Sequence, residues 1–127
     1  MQASIAFLAD YRTQNFVRKV VLDLHRKYSI RFFASLLPAH VSLKQPFEFE
    51  DLEKLENYFN YLAAEINPVE IELDKFYHSL WGDFGILALN VKRISKLRKL
   101  HYQIDKELNK LFKDPSSPYD GENIIFT

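Results

Sequence analysis

Four histidines are the side chains of this 127-residue sequence best suited to moving a proton near neutral pH. His40 differs from the other three in its context. Pro38 fixes the approach of the chain to it, and Ser42 comes two residues later in the alternating run Ala39-His40-Val41-Ser42-Leu43. Strand geometry sends side chains two apart to the same face. An imidazole would then stand beside a hydroxyl able to donate a hydrogen bond to a phosphate oxygen. That pair makes one half of a phosphate-handling site. Lys44 continues the same face and is the candidate for meeting substrate charge. His-x-Ser recurs by chance in many proteins, so spacing alone leaves a structural histidine as the alternative. His25 and His101 fall within helical patterns among charged neighbours and are read as solvated or half-buried. His78 ends a strand beside Tyr77 and is read as structural, although a hairpin end can line a cleft. Tyr77, Trp81 and Phe84 near that hairpin could stack a base, with burial in a core as the competing reading.

These residues need a frame, and the composition allows one. Hydrophobic residues make up 47% and aromatics 15%, enough to pack a core. The length suits a single domain over residues 1–127. Seventeen Lys and Arg balance seventeen Asp and Glu, which argues against non-specific, charge-driven binding of nucleic acid. Cysteine is absent, so disulfides and thiolate metal sites are excluded. That fits a reducing cytosol. Residues 1–30 lack the pattern of a signal peptide, and no stretch approaches the ~20 apolar residues of a membrane span. A cytoplasmic location away from membranes is therefore expected. With three glycines there is neither a P-loop nor a dinucleotide fingerprint.

Hydrophobic periodicity predicts the elements. Residues 4–9 form a first strand, and Asp10 is placed to cap the helix that follows. Phe16, Val17, Val20, Val21 and Leu24 mark an amphipathic helix over residues 11–28. The strand carrying His40 alternates to Leu43 and is expected to end at Pro46. Leu52, Leu55, Phe59, Leu62 and Ile66 stripe a second helix. Val69, Ile71 and Leu73 start another strand. Trp81-Gly82-Asp83 makes a turn into a paired strand over residues 84–91, read as central and well covered. Ile94, Leu97, Leu100, Ile104, Leu108 and Leu111 stripe a third helix. Residues 114–121 read as a loop, and Ile124-Ile125-Phe126 begins one more strand. The order is β-α-β-α-β-β-α, an α+β chain with helices flanking an antiparallel sheet. Lys92, Arg93, Lys96, Arg98 and Lys99 cluster around the start of the third helix and are read as a solvated face, with a phosphate-backbone role as the alternative.

The segment Pro38-Ala39-His40-Val41-Ser42-Leu43-Lys44-Gln45-Pro46-Phe47, set in this element order, resembles the 2H phosphoesterase superfamily. That group includes bacterial 2′-5′ RNA ligase-like proteins and cyclic phosphodiesterases. His40-Val41-Ser42-Leu43 matches its first motif, a histidine, any residue, serine or threonine, then an apolar residue. Pro46-Phe47 matches the pair that follows. The family's proline stands directly before the histidine, whereas here Ala39 intervenes. The resemblance implies a two-lobed fold in which each lobe gives one such strand to a central cleft. One histidine acts as general base, the other as general acid, and the two hydroxyls hold the phosphate. The scheme needs no metal and no cofactor. It implies a nucleotide or RNA end bearing a 2′,3′-cyclic phosphate or a 2′-5′ linkage, with His40 and Ser42 catalytic. A second motif is missing, since in His78-Ser79 the hydroxyl is adjacent to the imidazole rather than two residues on. The chain is accordingly expected to be incomplete at its C-terminus, with a homodimer as one way of covering the edge left open. The competing function is a non-catalytic module of the same fold that binds a nucleotide or a protein.

Overall fold

The computed structural model describes residues 1–30, 37–113, 115 and 117–126, and for Trp81 and Asn123 the backbone only. The elements follow the predicted order. They are β1 (Gln2–Leu8), α1 (Tyr11–Tyr28), β2 (His40–Glu48), α2 (Leu52–Glu65), β3 (Glu72–Trp81), β4 (Phe84–Lys92) and α3 (Ser95–Leu111), then a short 3-10 turn at Gly121–Asn123. The fold is α+β, with one two-stranded sheet of β1 and β2 and another of β3 and β4. The chain groups into two compact units, Ala6–Val41 and the remainder, Met1–Ile5 with Ser42–Thr127.

The first unit holds α1. Asp10 caps it, its Oδ1 accepting from Thr13 N–H at 2.8 Å. That hydrogen bond holds the Asp10 carboxyl below its usual range, because it favours the charged form. Ser29 closes the helix in the left-handed region, with His25, Arg26 and Lys27 in the last turn beside the negative end of the dipole. No residue of α1 is fully buried, and Phe16 of the predicted stripe is exposed.

Two hydrogen bonds frame the β1–β2 pair as antiparallel: Phe49 N–H to Met1 O at 3.0 Å and Ala9 N–H to Ala39 O at 2.9 Å. The two strands thus run side by side in opposite directions. The expected end of β2 at Pro46 is corrected. The strand runs on to Glu48, with Pro46, which has no N–H to donate, at an exposed position of the two-stranded sheet.

The second unit contains the larger core. Leu43, Phe47 and Phe49 from β2, Leu55, Tyr58 and Leu62 from α2, and Leu97, His101, Ile104 and Leu108 from α3 are buried. Phe47, Phe49 and Phe112 form a tilted aromatic cluster with centroids 6.3–6.4 Å apart. The buried stripe of α2 passes through Tyr58, while Phe59 and Leu52 of the predicted stripe are exposed. Tyr58 wins that place because its hydroxyl donates to Glu107 of α3 at 2.9 Å, so ring and hydroxyl are both satisfied. In β3–β4 the register runs from Glu72↔Lys92 to Trp81↔Phe84, with an irregularity between Leu73 and Phe76. Gly82, at φ +61°, makes the tight turn. The expectation of a covered strand at residues 84–91 fails at this end: Phe84 is 67% and Leu80 80% exposed, and Ile86 and Leu87 are exposed too. Only toward Val91 does the strand enter the core. Val91 N–H donates to Phe126 O at 3.1 Å, and Ile124 and Phe126 are buried while Ile125 is exposed. The expected strand at Ile124–Phe126 does not form: the segment alternates in burial and makes this one bond to β4 but is not a strand of either sheet.

Candidate functional site

β2 begins at His40, and its first residues alternate. His40 is exposed, Val41 buried, Ser42 half-buried and Leu43 buried. By strand parity His40 and Ser42 fall in the same set of alternate positions, and neither is sealed in a core. The His40 ring is tethered by Nδ1, 2.8 Å from Pro38 O. A carbonyl oxygen can only accept, so Nδ1 carries the proton and donates it. In the neutral ring Nε2 then holds the lone pair, with no hydrogen bond among the described residues. That is the tautomer a general base requires.

The approach to His40 is set by a residue the sequence reading did not single out. Gln14 lies in the first turn of α1, its own N–H bonded to Asp10 O at 2.9 Å. Its Oε1 accepts from Ala39 N–H at 2.8 Å, and its Nε2 donates to Ala39 O at 2.9 Å and to Ala9 O at 3.2 Å. The only sequence signal was an amide in the opening turn of a helix capped at Asp10, where a strand end lies within reach.

Lys44, expected to meet substrate charge, is 0% exposed. Its ammonium is bound by Asp105 Oδ1 at 3.0 Å and by Asp120 Oδ2, and it lies over the Phe47 ring. Two carboxylates neutralise it inside the second unit, so it presents no charge to a ligand. Asp120 Oδ1 also accepts from Gln45 N–H at 3.1 Å. His101, expected to be solvated or half-buried, is likewise 0% exposed, and this is a correction. Gly121 N–H donates to its Nε2 at 2.7 Å, and its Nδ1 lies 2.7 Å from Leu43 O. Nε2 must accept, so Nδ1 carries the proton. His101 and Asp120 thus hold backbone groups of β2 at Leu43 and Gln45. The sequence concealed this because His101, Asp105 and Asp120 meet β2 only through tertiary packing.

Tyr77 is half-buried in β3 opposite Ala88, and His78 beside it is exposed. The Trp81 side chain lies outside the described residues. The basic run is partly paired across the hairpin: Lys92 with Glu72 at 3.3 Å and Asp74 at 3.5 Å, Arg93 with Glu72 at 3.7 Å. These carboxylates raise the Lys92 pKa, as expected of a solvated face. A shallow groove lined by Ala3, Ser4, Ile5, Leu55 and Phe59 holds none of the candidate residues.

Comparison with known proteins finds similarity to three chains of Geobacillus. The sequence is 31% identical over 97 residues to a protein of Geobacillus thermodenitrificans (strain NG80-2) named "Putative phosphoesterase", covering 73% of this chain and 56% of that one. It is 32% identical over 97 residues to a Geobacillus kaustophilus (strain HTA426) protein named in the same way, with the same coverage. A third, from Geobacillus sp. (strain WCH70), is 26% identical over 106 residues, covering 82% of this chain and 57% of the other. No family model and no solved structure matches. The chain spans a little over half the length of the curated relatives it matches.

Proposed function

We propose that this chain supplies one half of a phosphoesterase site of the 2H type, acting on a nucleotide or RNA end with a 2′,3′-cyclic phosphate or a 2′-5′ linkage. The similarity to proteins named phosphoesterases supports the reaction class. The observation that carries the reading is His40, exposed at the start of β2 with Nδ1 tied to Pro38 O and Nε2 left basic.

In this reading His40 Nε2 takes the proton of the attacking water or hydroxyl, or in the reverse direction protonates the leaving oxygen. Ser42 donates its hydroxyl hydrogen to a phosphate oxygen, opposing the charge that builds there. An in-line displacement in one step also needs a proton-transfer group at the opposite end. A further segment of polypeptide or a second copy of this chain would supply it. A cation for the substrate must likewise come from a residue other than Lys44.

Hydrolysis of a 2′,3′-cyclic nucleotide by a longer chain that supplies the second half of the site tests this. The expected result is turnover that falls about 10²–10⁴-fold in His40→Ala. Undiminished turnover in that variant refutes the role. Saturable nucleotide binding without turnover, even with the second half supplied, would favour the non-catalytic binding module.

A further inference from the structure

We propose that Gln14 is a positioning residue for His40, fixing which nitrogen of the imidazole is basic; the inference rests on the proton-transfer role given to His40 above. One peptide unit links the two side chains. The amide plane between Pro38 and Ala39 carries Ala39 N–H on one side and Pro38 C=O on the other, because a peptide group is planar and these two bonds point in opposite directions. Gln14 Oε1 accepts from that N–H at 2.8 Å, and His40 Nδ1 donates to that C=O at 2.8 Å. The plane cannot rotate to suit His40 without breaking the Gln14 bond.

The second arm of the Gln14 amide closes the remaining freedom. Its Nε2 donates to Ala39 O at 2.9 Å and to Ala9 O at 3.2 Å. Both backbone polar groups of Ala39 are thereby held by one side chain. The three groups also form a chain, from the Gln14 carbonyl through the peptide to the imidazole. Hydrogen bonds in series polarise one another, so the Pro38 oxygen becomes a better acceptor for Nδ1–H. A side chain that touches no substrate thus decides that Nε2 is the free base. An asparagine is one methylene shorter and an alanine has no amide, so neither can make the same bonds.

The test reads the tautomer directly. Ring nitrogen shifts of His40 are measured by NMR in the wild type and in Gln14→Met, which keeps the length but removes the amide. Gln14→Glu still offers an oxygen to Ala39 N–H. Folding of each variant is checked by its amide spectrum. The expected result is a single Nδ1–H form in the wild type, a mixture of both tautomers in Gln14→Met, and the wild-type form restored in Gln14→Glu. With the second half of the site supplied by a longer chain, cyclic-nucleotide turnover should fall in Gln14→Met by roughly tenfold or more, in kcat rather than KM. A folded Gln14→Met with the wild-type tautomer overturns the proposal, as does Gln14→Glu behaving like Gln14→Met. Should Gln14→Met not fold, Gln14→Ala replaces it under the same criteria. The two claims fail separately. Loss of the tautomer effect removes the role of Gln14, whereas turnover untouched in His40→Ala removes the role of His40 and leaves the tautomer result standing.

Discussion

At the residue scale, chemistry depends on which atoms remain available once the fold has used the others. His40 uses Nδ1 on Pro38 O and keeps Nε2. His101 uses both nitrogens, on Leu43 O and Gly121 N–H, and keeps none. Lys44 shares the face of His40 and Ser42 by strand parity, yet its ammonium is taken by Asp105 and Asp120. Removing one partner of a buried ionic cluster leaves the other charges uncompensated. Lys44→Met is therefore expected to lower unfolding free energy by about 3–5 kcal/mol, read from urea unfolding. Phosphate affinity of the folded fraction should stay unchanged. A variant that lost phosphate affinity while keeping its stability would restore Lys44 to the substrate.

At the element scale, α1 matters for its opening turn more than for its stripe. Asp10 caps the helix, and the turn it organises carries Gln14. The Asp10 carboxyl is held below its ordinary value of 3.8 by the Thr13 N–H. A carboxyl depressed in the folded state contributes stability that is present above that ordinary value and is lost as pH falls through the lower folded one. Protection of the Thr13 and Gln14 amides, measured against the intrinsic exchange rate, should therefore fall in that acid range, and Asp10→Ala should show the lower protection already at neutral pH. Where α2 meets α3 the sign is opposite. Burial, and then Glu107, push the Tyr58 phenol well above its ordinary value of 10.0. That stability is whole below pH 10.0 and declines as pH rises toward the folded value. Tyr58→Phe is expected to cost about 1 kcal/mol at neutral pH and to remove this part of the alkaline decline, measured by chemical denaturation across the range.

The elements were legible because their signals are local. The three-to-four-residue spacing in α1 and α3, the cap at Asp10 and the turn at Gly82 all lie within a few residues of what they control. Burial was less legible. Tyr58 displaced Phe59 from the α2 stripe because its hydroxyl found Glu107, a partner 49 residues away in sequence. His40 and Ser42 were readable as a strand pair, whereas Gln14, 25 residues from Ala39, was not.

For the molecule as a whole, zero formal charge leaves recognition of an anion to local geometry rather than to a broad field. The chain covers a little over half of its phosphoesterase-named relatives, so a test of the half-site must not depend on complete turnover. Titration with inorganic phosphate, followed by NMR at the His40 ring and the Ser42 amide together, meets that need. A half-site built on this pair predicts that both signals move on one saturable curve and that the curve disappears in His40→Ala. Phosphate that leaves the His40 ring and the Ser42 amide unmoved in a folded protein would contradict it.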